Sequence, residues 1–175
     1  KRLVNEFRDY ARLPAAELKP VDLNALVADV LQLYRDDDEH PQGAAPVEME
    51  LDPACVPVLG DAQQLRQVIH NLLQNAQDAI ESNEQPGVVT LKTQWNPTSG
   101  RVRLMVQDTG AGFPDAILKR AFEPYVTTKA KGTGLGLAVV KKIADEHGAR
   151  IDLSNRIKNG AIQGAQVSLS FAVAT

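Results

Sequence analysis

The stretch from Asp61 to Ile80 constrains this chain more than any other, because its pattern fits only a helix and that helix has an unusual border. Leu65, Val68, Ile69, Leu72, Leu73, Ala76, Ala79 and Ile80 recur at helical spacing, and about 100° per residue gathers them into one broad apolar arc. Asp61 is placed to cap the start, with Gln64 three residues on as the reciprocal partner of a capping box. Asn71 and Asn75 fall together along one edge of the arc, with Asp78 and Gln67 slightly further out. Asparagine is a poor helix former, and an amide beside apolar surface is costly unless its groups find partners. Two on one row serve either a ligand, or each other and a neighbouring loop, and the helix alone leaves both open. His70 beside them reads as a supporting or structural residue.

The flanking segments divide into further elements. Residues 1 to 12 have helix character, with Leu3, Val4, Phe7 and Tyr10 on one face, and "LPAAELKP" follows as a helix stop and short stiff linker. Asp22 can cap a second helix whose apolar stripe is Leu26, Val27, Val30, Leu31 and Tyr34. A polar loop, "DDDEHPQGAAP", ends it, and His40 there reads as solvated and not as a ligand, since no second metal-type residue sits at ligand spacing. "VEMEL" alternates as a strand, and Pro53 and Pro57 bracket an extended segment. "VVTLKTQW" and "RVRLMVQD" alternate across "NPTSG" as an antiparallel hairpin whose second strand runs into "DTGAGFP". That sequence sets the Asp108 carboxylate at the rim of a sheet, with Gly110 and Gly112 letting the backbone come close to a planar ligand, although such turns are also common without one. About 20 residues with one short helical piece come next, a length that usually signals function. Leu135, Leu137, Ala138, Val139, Ile143 and Ala144 then mark a helix ending at His147 and Gly148, where His147 reads as a surface residue favoured by the helix dipole. "ARIDLSN" and "AQVSLSFAV" close the chain as strands.

Composition excludes several classes. A chain of 175 residues is expected to hold one domain, and 19 basic against 22 acidic residues leave a net charge of -3, with no broad positive field for nucleic acid. No run approaches the roughly 18 apolar residues of a membrane span. The single cysteine, Cys55, rules out an internal disulfide and reads as an inert, partly buried thiol.

Glycine spacing in "KAKGTGLGLA", residues 129 to 138, invites a nucleotide-loop reading, and two familiar versions fail. A dinucleotide fingerprint would use Gly132 and Gly134 with Asp152 as the later acid, but the third glycine position is Leu137 and the preceding element is a basic loop where that fold has an apolar strand. The pattern of a P-loop is absent. What remains is a glycine loop that starts a helix, preceded by Lys129 and Lys131: free N–H groups, a positive helix end and two cations make a phosphate site.

Taken in order, "HNLLQNAQDA", "QDTGAGFP", "FEPY" and "GTGLGLA" resemble the ATP-binding catalytic domain of sensor histidine kinases, of the superfamily shared with DNA gyrase, the ATP-dependent chaperone and mismatch-repair ATPases. The resemblance covers about residues 22 to 172, and "FEPYVTTKAKGTGLGLAVVKKI" looks most like nitrogen-regulation sensor kinases. It implies that Asn75 coordinates Mg²⁺ with Asn71 in the same shell, that Asp108 accepts from the exocyclic amine of adenine, and that Gly110 and Gly112 pass the base. It implies a lid over residues 113 to 131, with Lys129 and Lys131 reaching the phosphates and Gly132, Thr133, Gly134 and Gly136 holding them at the helix start. Asp78, Leu135 and Leu137 complete the expected nucleotide set.

The resemblance further implies an α/β two-layer sandwich, with a mixed, mostly antiparallel sheet of about five strands and three helices on one face. Residues 1 to 13 are expected to be the end of a dimerisation hairpin helix, 14 to 21 a linker and 22 to 175 the catalytic domain. No histidine here stands in a phosphoacceptor setting. The implied function is therefore to bind Mg-ATP and deliver its γ-phosphoryl to a histidine on a dimerisation domain largely outside this chain, with a response regulator receiver domain as the further partner. The domain is expected in the cytoplasm, within a homodimeric protein that a membrane segment can anchor. Two alternatives stand beside this: a self-contained ATPase, against which Asn71 occupies the position of the water-activating glutamate, and a non-catalytic nucleotide-sensing or interaction module. One departure concerns Gln166, close to where relatives often place a threonine.

Overall fold

The computed structural model describes residues 13–36, 44–81, 83, 85–120, 122–123 and 136–174. The elements are β1 (Lys19–Val21), α1 (Leu23–Asp36), β2 (Val47–Glu50), β3 (Val58–Gly60), α2 (Ala62–Glu81), β4 (Val89–Asn96), β5 (Arg101–Asp108), α3 (Asp115–Leu118), α4 (Gly136–Glu146), β6 (Arg150–Lys158) and β7 (Ala161–Ala172). Five strands form one mixed sheet in the order β2-β4-β5-β7-β6, antiparallel at every pairing except β2 with β4. A parallel pair needs a crossover, and β3 with α2 supplies it. The expected two-layer α/β sandwich is the observed architecture.

Residues of alternate parity separate the two faces of the sheet. Val102, Leu104 and Val106 of β5 and Val167, Leu169 and Phe171 of β7 are buried against the helices. On the opposite face, Arg101 and Arg103 donate to the hydroxyls of Ser170 and Ser168, and Gln107 donates to Gln166. The apolar arc of α2 is buried as its spacing demands, with Leu65, Val68, Ile69, Leu72 and Leu73 at 1% exposure or less. Val27 and Leu31 of α1 and Val139, Val140 and Ile143 of α4 complete the helical side of the core.

Three local expectations are revised. Lys19–Val21, expected as linker, pairs antiparallel with β3, so Pro20 occupies a short edge strand where its missing N–H costs nothing. Asp61 does cap α2, its Oδ1 accepting from Gln63 and Gln64 N–H at 3.1 and 3.2 Å. The reciprocal arm of the capping box is not formed: the Gln64 amide donates instead to the Pro14 carbonyl at 2.7 Å, and His147 Nε2 accepts the Asp61 N–H at 3.0 Å. That bond also corrects the reading of His147, which is 6% exposed and closes α4 onto the start of α2. The helix of residues 1 to 12 and His40 lie outside the described residues.

Candidate nucleotide-binding site

Asp108 is the last inward-facing residue of β5, and period-two alternation delivers its carboxylate to the helix side of the sheet at the rim. It is 4% exposed. Its Oδ1 accepts from Gly110 N–H at 2.9 Å and from Ala165 N–H at 3.2 Å, which fixes the carboxylate by both its own turn and β7. Arg156 on β6 donates to the Asp108 carbonyl at 3.0 Å.

The turn after Asp108 is pressed onto α2. A Cβ on Gly110 would lie 2.7 Å from the Ala79 carbonyl oxygen, so only glycine allows this approach. Gly112 has φ +78°, and a Cβ there would lie 2.6 Å from Ile162 and 2.8 Å from Asn155 Oδ1. The loop and the helix therefore touch at Ala79.

Eight residues earlier on the same helix, Asn71 Nδ2 donates to the Gly136 carbonyl at 3.4 Å, a long bond that sets α2 beside the head of α4. At 1.5 Å per residue, Asn71 and Ala79 are about 12 Å apart along the axis, and Asn75 stands midway on the same row. One stripe of α2 thus joins the carboxylate turn to the beginning of α4. Asn71 and Asn75 are both half-buried, as their place on the border of the arc requires. Gly136 differs from Gly110: a Cβ there meets nothing within 4 Å among the described residues. Packing among the described residues does not demand a glycine at that position.

The other expected residues divide into two groups. Asp78 accepts from Gln74 on its own helix at 3.0 Å, and its charge bears on Tyr34 of α1. Leu137 is half-buried at the start of α4. Lys129, Lys131, Gly132, Thr133, Gly134 and Leu135 lie outside the described residues, as do residues 121 and 124 to 131 of the expected lid. Its beginning is described, and it holds the expected short helical piece, α3. His70 is exposed. Gln166 faces away from the helices.

Among the described residues no three His, Cys, Asp or Glu side chains gather as a metal cage. The donors on the α2 row are neutral amides, which fits a hard cation that arrives with phosphate oxygens already attached. Burial raises Cys55, in keeping with an inert thiol.

Sequence reasoning passed over Asn155, Arg156 and Gly164, which hold the turn from β6 and β7. A Cβ on Gly164, at φ +141°, would lie 1.9 Å from the Asp108 carbonyl oxygen. A glycine inside a strand was the available signal. Asn155 and Arg156 carried none, because their partners are backbone groups more than 40 residues away.

Comparison with known proteins agrees with this geometry. Residues 60–174 match the family model described as histidine kinase-, DNA gyrase B- and HSP90-like ATPase. The chain is 34% identical over 156 residues to nitrogen regulation protein NtrY of Azorhizobium caulinodans, covering 88% of this chain and 20% of that protein. It is 36% identical over 166 residues to the sensory histidine kinase/phosphatase NtrB of Rhodobacter capsulatus, covering 88% and 45%. The chain thus spans less than half the length of these relatives. Among solved structures, full-length ShkA in complex with AMPPNP superposes with TM-score 0.78 at 31% identity, covering 99% of this chain and 36% of that one. The catalytic domain of histidine kinase ThkA gives TM-score 0.73 at 29% identity, covering 89% and 95%. The chain belongs to the histidine kinase-, DNA gyrase B- and HSP90-like ATPase family, and within it to the catalytic domains of sensor histidine kinases.

Proposed function

We propose that this chain binds Mg-ATP and delivers its γ-phosphoryl to a histidine on a dimerisation domain, from which a response regulator receives it. The observation that carries the reading is the α2 stripe: Ala79 meets the Asp108 turn and Asn71 meets the head of α4, so a base at one end and phosphates at the other share one helix face. Asp108 would accept from the adenine amine, an edge at which guanine presents a carbonyl. Asn75, with Asn71 nearby, would supply an amide oxygen to the Mg²⁺ that the triphosphate carries. Bound Mg²⁺ supplies charge neutralisation on the phosphates. Lys129 and Lys131 would add positive charge, and Gly132, Thr133, Gly134 and Gly136 main-chain donors.

Transfer then depends on positioning. The acceptor imidazole nitrogen forms the new bond to phosphorus as the bond to the β–γ bridging oxygen breaks, and ADP leaves. Nothing in this chain acts as covalent nucleophile. Asn71 has no basic lone pair to activate water, so hydrolysis in place of transfer is slow. Residues 1 to 13 would be the end of the dimerisation hairpin, residues 14 to 21 the connection and residues 22 to 175 the catalytic domain, within a homodimer. No helix among the described residues is long and apolar enough to cross a membrane. The reading places this domain in the cytoplasm, with any anchor elsewhere in the protein.

The test supplies the chain with radiolabelled Mg-ATP, alone and with a separate hairpin carrying a phosphoacceptor histidine. Acid-labile label should appear on the hairpin only. Stable label on His70 of this chain, or calorimetry showing no Mg-ATP binding, overturns the reading.

A further inference from the structure

One side chain grips a single residue of the Asp108 loop from both sides. Asn155 Oδ1 accepts from Phe113 N–H at 2.7 Å, and its Nδ2 donates to the Phe113 carbonyl at 2.8 Å. Asn155 is half-buried on β6, just before the register shift between Arg156 and Ile157. Such irregularities re-aim side chains at the edge of a sheet. The neighbouring Arg156 holds the Asp108 carbonyl at 3.0 Å, so both ends of the loop from 108 to 113 are fastened to the same short piece of strand. Gly112 is what lets the chain pass beneath the amide, since any Cβ there would meet Asn155 Oδ1 and Ile162.

We propose that Asn155 is a positioning residue for the nucleotide site: by holding both polar groups of the Phe113 backbone, it sets the path of the loop that carries Asp108 and Gly110, without touching the nucleotide itself. This rests on the Mg-ATP reading above. The clamp acts on the one stretch of chain lying between the carboxylate that would receive the base and the segment leading away from the site. Its two bonds fix the Phe113 peptide groups on either side of the α carbon, which a single bond would leave free to rotate. The span from Asp108 to Phe113 is too short to absorb a displaced end without moving Gly110 from Ala79.

Substitutions at position 155 separate positioning from simple support. Asn155→Ala removes both bonds. Asn155→Asp, when ionised, keeps the acceptor for Phe113 N–H but turns a second oxygen toward the Phe113 carbonyl; when protonated, it restores one donor and one acceptor. The charged neighbours, Arg156 on β6 and Asp108 on β5, are common to all three proteins. Amide exchange at Phe113 is followed without nucleotide, and ADP affinity is measured calorimetrically between about pH 5 and about pH 8, where a carboxyl facing a carbonyl changes its protonation.

Phe113 N–H is expected to exchange at least about tenfold faster in Asn155→Ala, with ADP bound about tenfold more weakly than by the wild type. The deficit of Asn155→Asp should match that of the alanine variant in the alkaline part of the range and shrink steadily toward the acid part. Unchanged exchange at Phe113, unchanged ADP affinity in Asn155→Ala, or an Asn155→Asp deficit that stays flat with pH overturns the positioning role alone. A wild type that binds no ADP overturns the nucleotide reading and takes the positioning role with it.

Discussion

His147 joins the end of one helix to the start of another: its Nε2 accepts the Asp61 N–H at 3.0 Å while its Nδ1 donates to the Ile143 carbonyl at 2.8 Å. Only the neutral imidazole with its proton on Nδ1 satisfies both bonds. Phe171 packs edge-on against the ring, with centroids 6.3 Å apart. Removing the ring leaves the Asp61 N–H without this partner, while the Ile143 carbonyl still accepts from the His147 N–H at 3.1 Å. His147→Ala should therefore lose about 2 kcal/mol of stability, from one unpaired donor and the lost packing of the ring. His147→Phe, which fills the volume but cannot bond, should lose nearly as much. Urea unfolding of both variants measures this, and a phenylalanine variant as stable as wild type would show that volume alone matters.

Asp61 makes stability acid-sensitive. Burial by itself would raise its carboxyl, but the N–H groups of Glu17, Gln64 and Gln63 outweigh it and hold the group below the ordinary value. The folded state therefore releases this proton more readily than the unfolded state does. The stabilisation is complete above the unfolded value of about 3.9 and disappears as pH falls through the lower folded value. In Asp61→Asn the acid limb of a stability-against-pH curve should be shallower, and Asp61→Ala should cost about 1 kcal/mol at neutral pH through loss of the helix cap.

Tyr34 gives the opposite limb. Burial pushes its phenol up to about 12, with the charge of Asp78 adding to the rise and a hydrogen bond with Gln77 partly opposing it. The folded state keeps its proton where an unfolded tyrosine would lose it. Its contribution is complete below the unfolded value of about 10 and is lost as pH rises toward the folded one. Tyr34→Phe should therefore flatten the alkaline decline in stability. Phenolate absorbance should show one fewer late-titrating tyrosine in the variant, and identical titrations would refute the assignment.

How much was legible depended on whether a residue acts within its own element. The arc of α2, the alternation of β5 and the rim position of Asp108 follow from helical and strand periods, which are local, so sequence alone placed Asn71, Asn75 and Asp108 correctly on their surfaces. That Asn71 reaches Gly136 and that Gly110 rests on Ala79 are long-range facts, and the order of recognisable motifs, not their periodicity, foretold the meeting. His147 was misjudged because the dipole at a helix end predicts exposure for a histidine, whereas the bond to Asp61 depends on how two helices pack. The parallel pairing of β2 with β4 had no local signal either, since four alternating residues fit either direction.

Gly164 is required by Asp108. Its φ of +141° lies outside the range of ordinary residues, and a Cβ would fall 1.9 Å from the Asp108 carbonyl oxygen, a backbone atom that cannot rotate away. Gly164→Ala should cost at least about 3 kcal/mol from combined strain and displacement. Thermal unfolding reads the loss. Because β7 also supplies the Ala165 N–H to the carboxylate, nucleotide affinity should fall in the fraction that still folds.

Gly136 provides the contrasting case, and it separates a glycine kept for packing from one kept for a ligand. It is the first residue of α4, its φ is not positive, and a Cβ there meets nothing within 4 Å among the described residues. Alanine should therefore be tolerated by the fold, and relief of glycine's backbone entropy should stabilise the helix by up to about 1 kcal/mol. If the phosphates of ATP lie against this turn, the added methyl group occupies space that they and their main-chain donors need, and Mg-ATP affinity should fall by about tenfold or more. A variant that is both as stable as wild type and weaker in binding places the phosphates at the head of α4. Equal affinity in the two proteins would move them elsewhere, and the pairing of Asn71 with Gly136 would then be a helix contact with no part in binding.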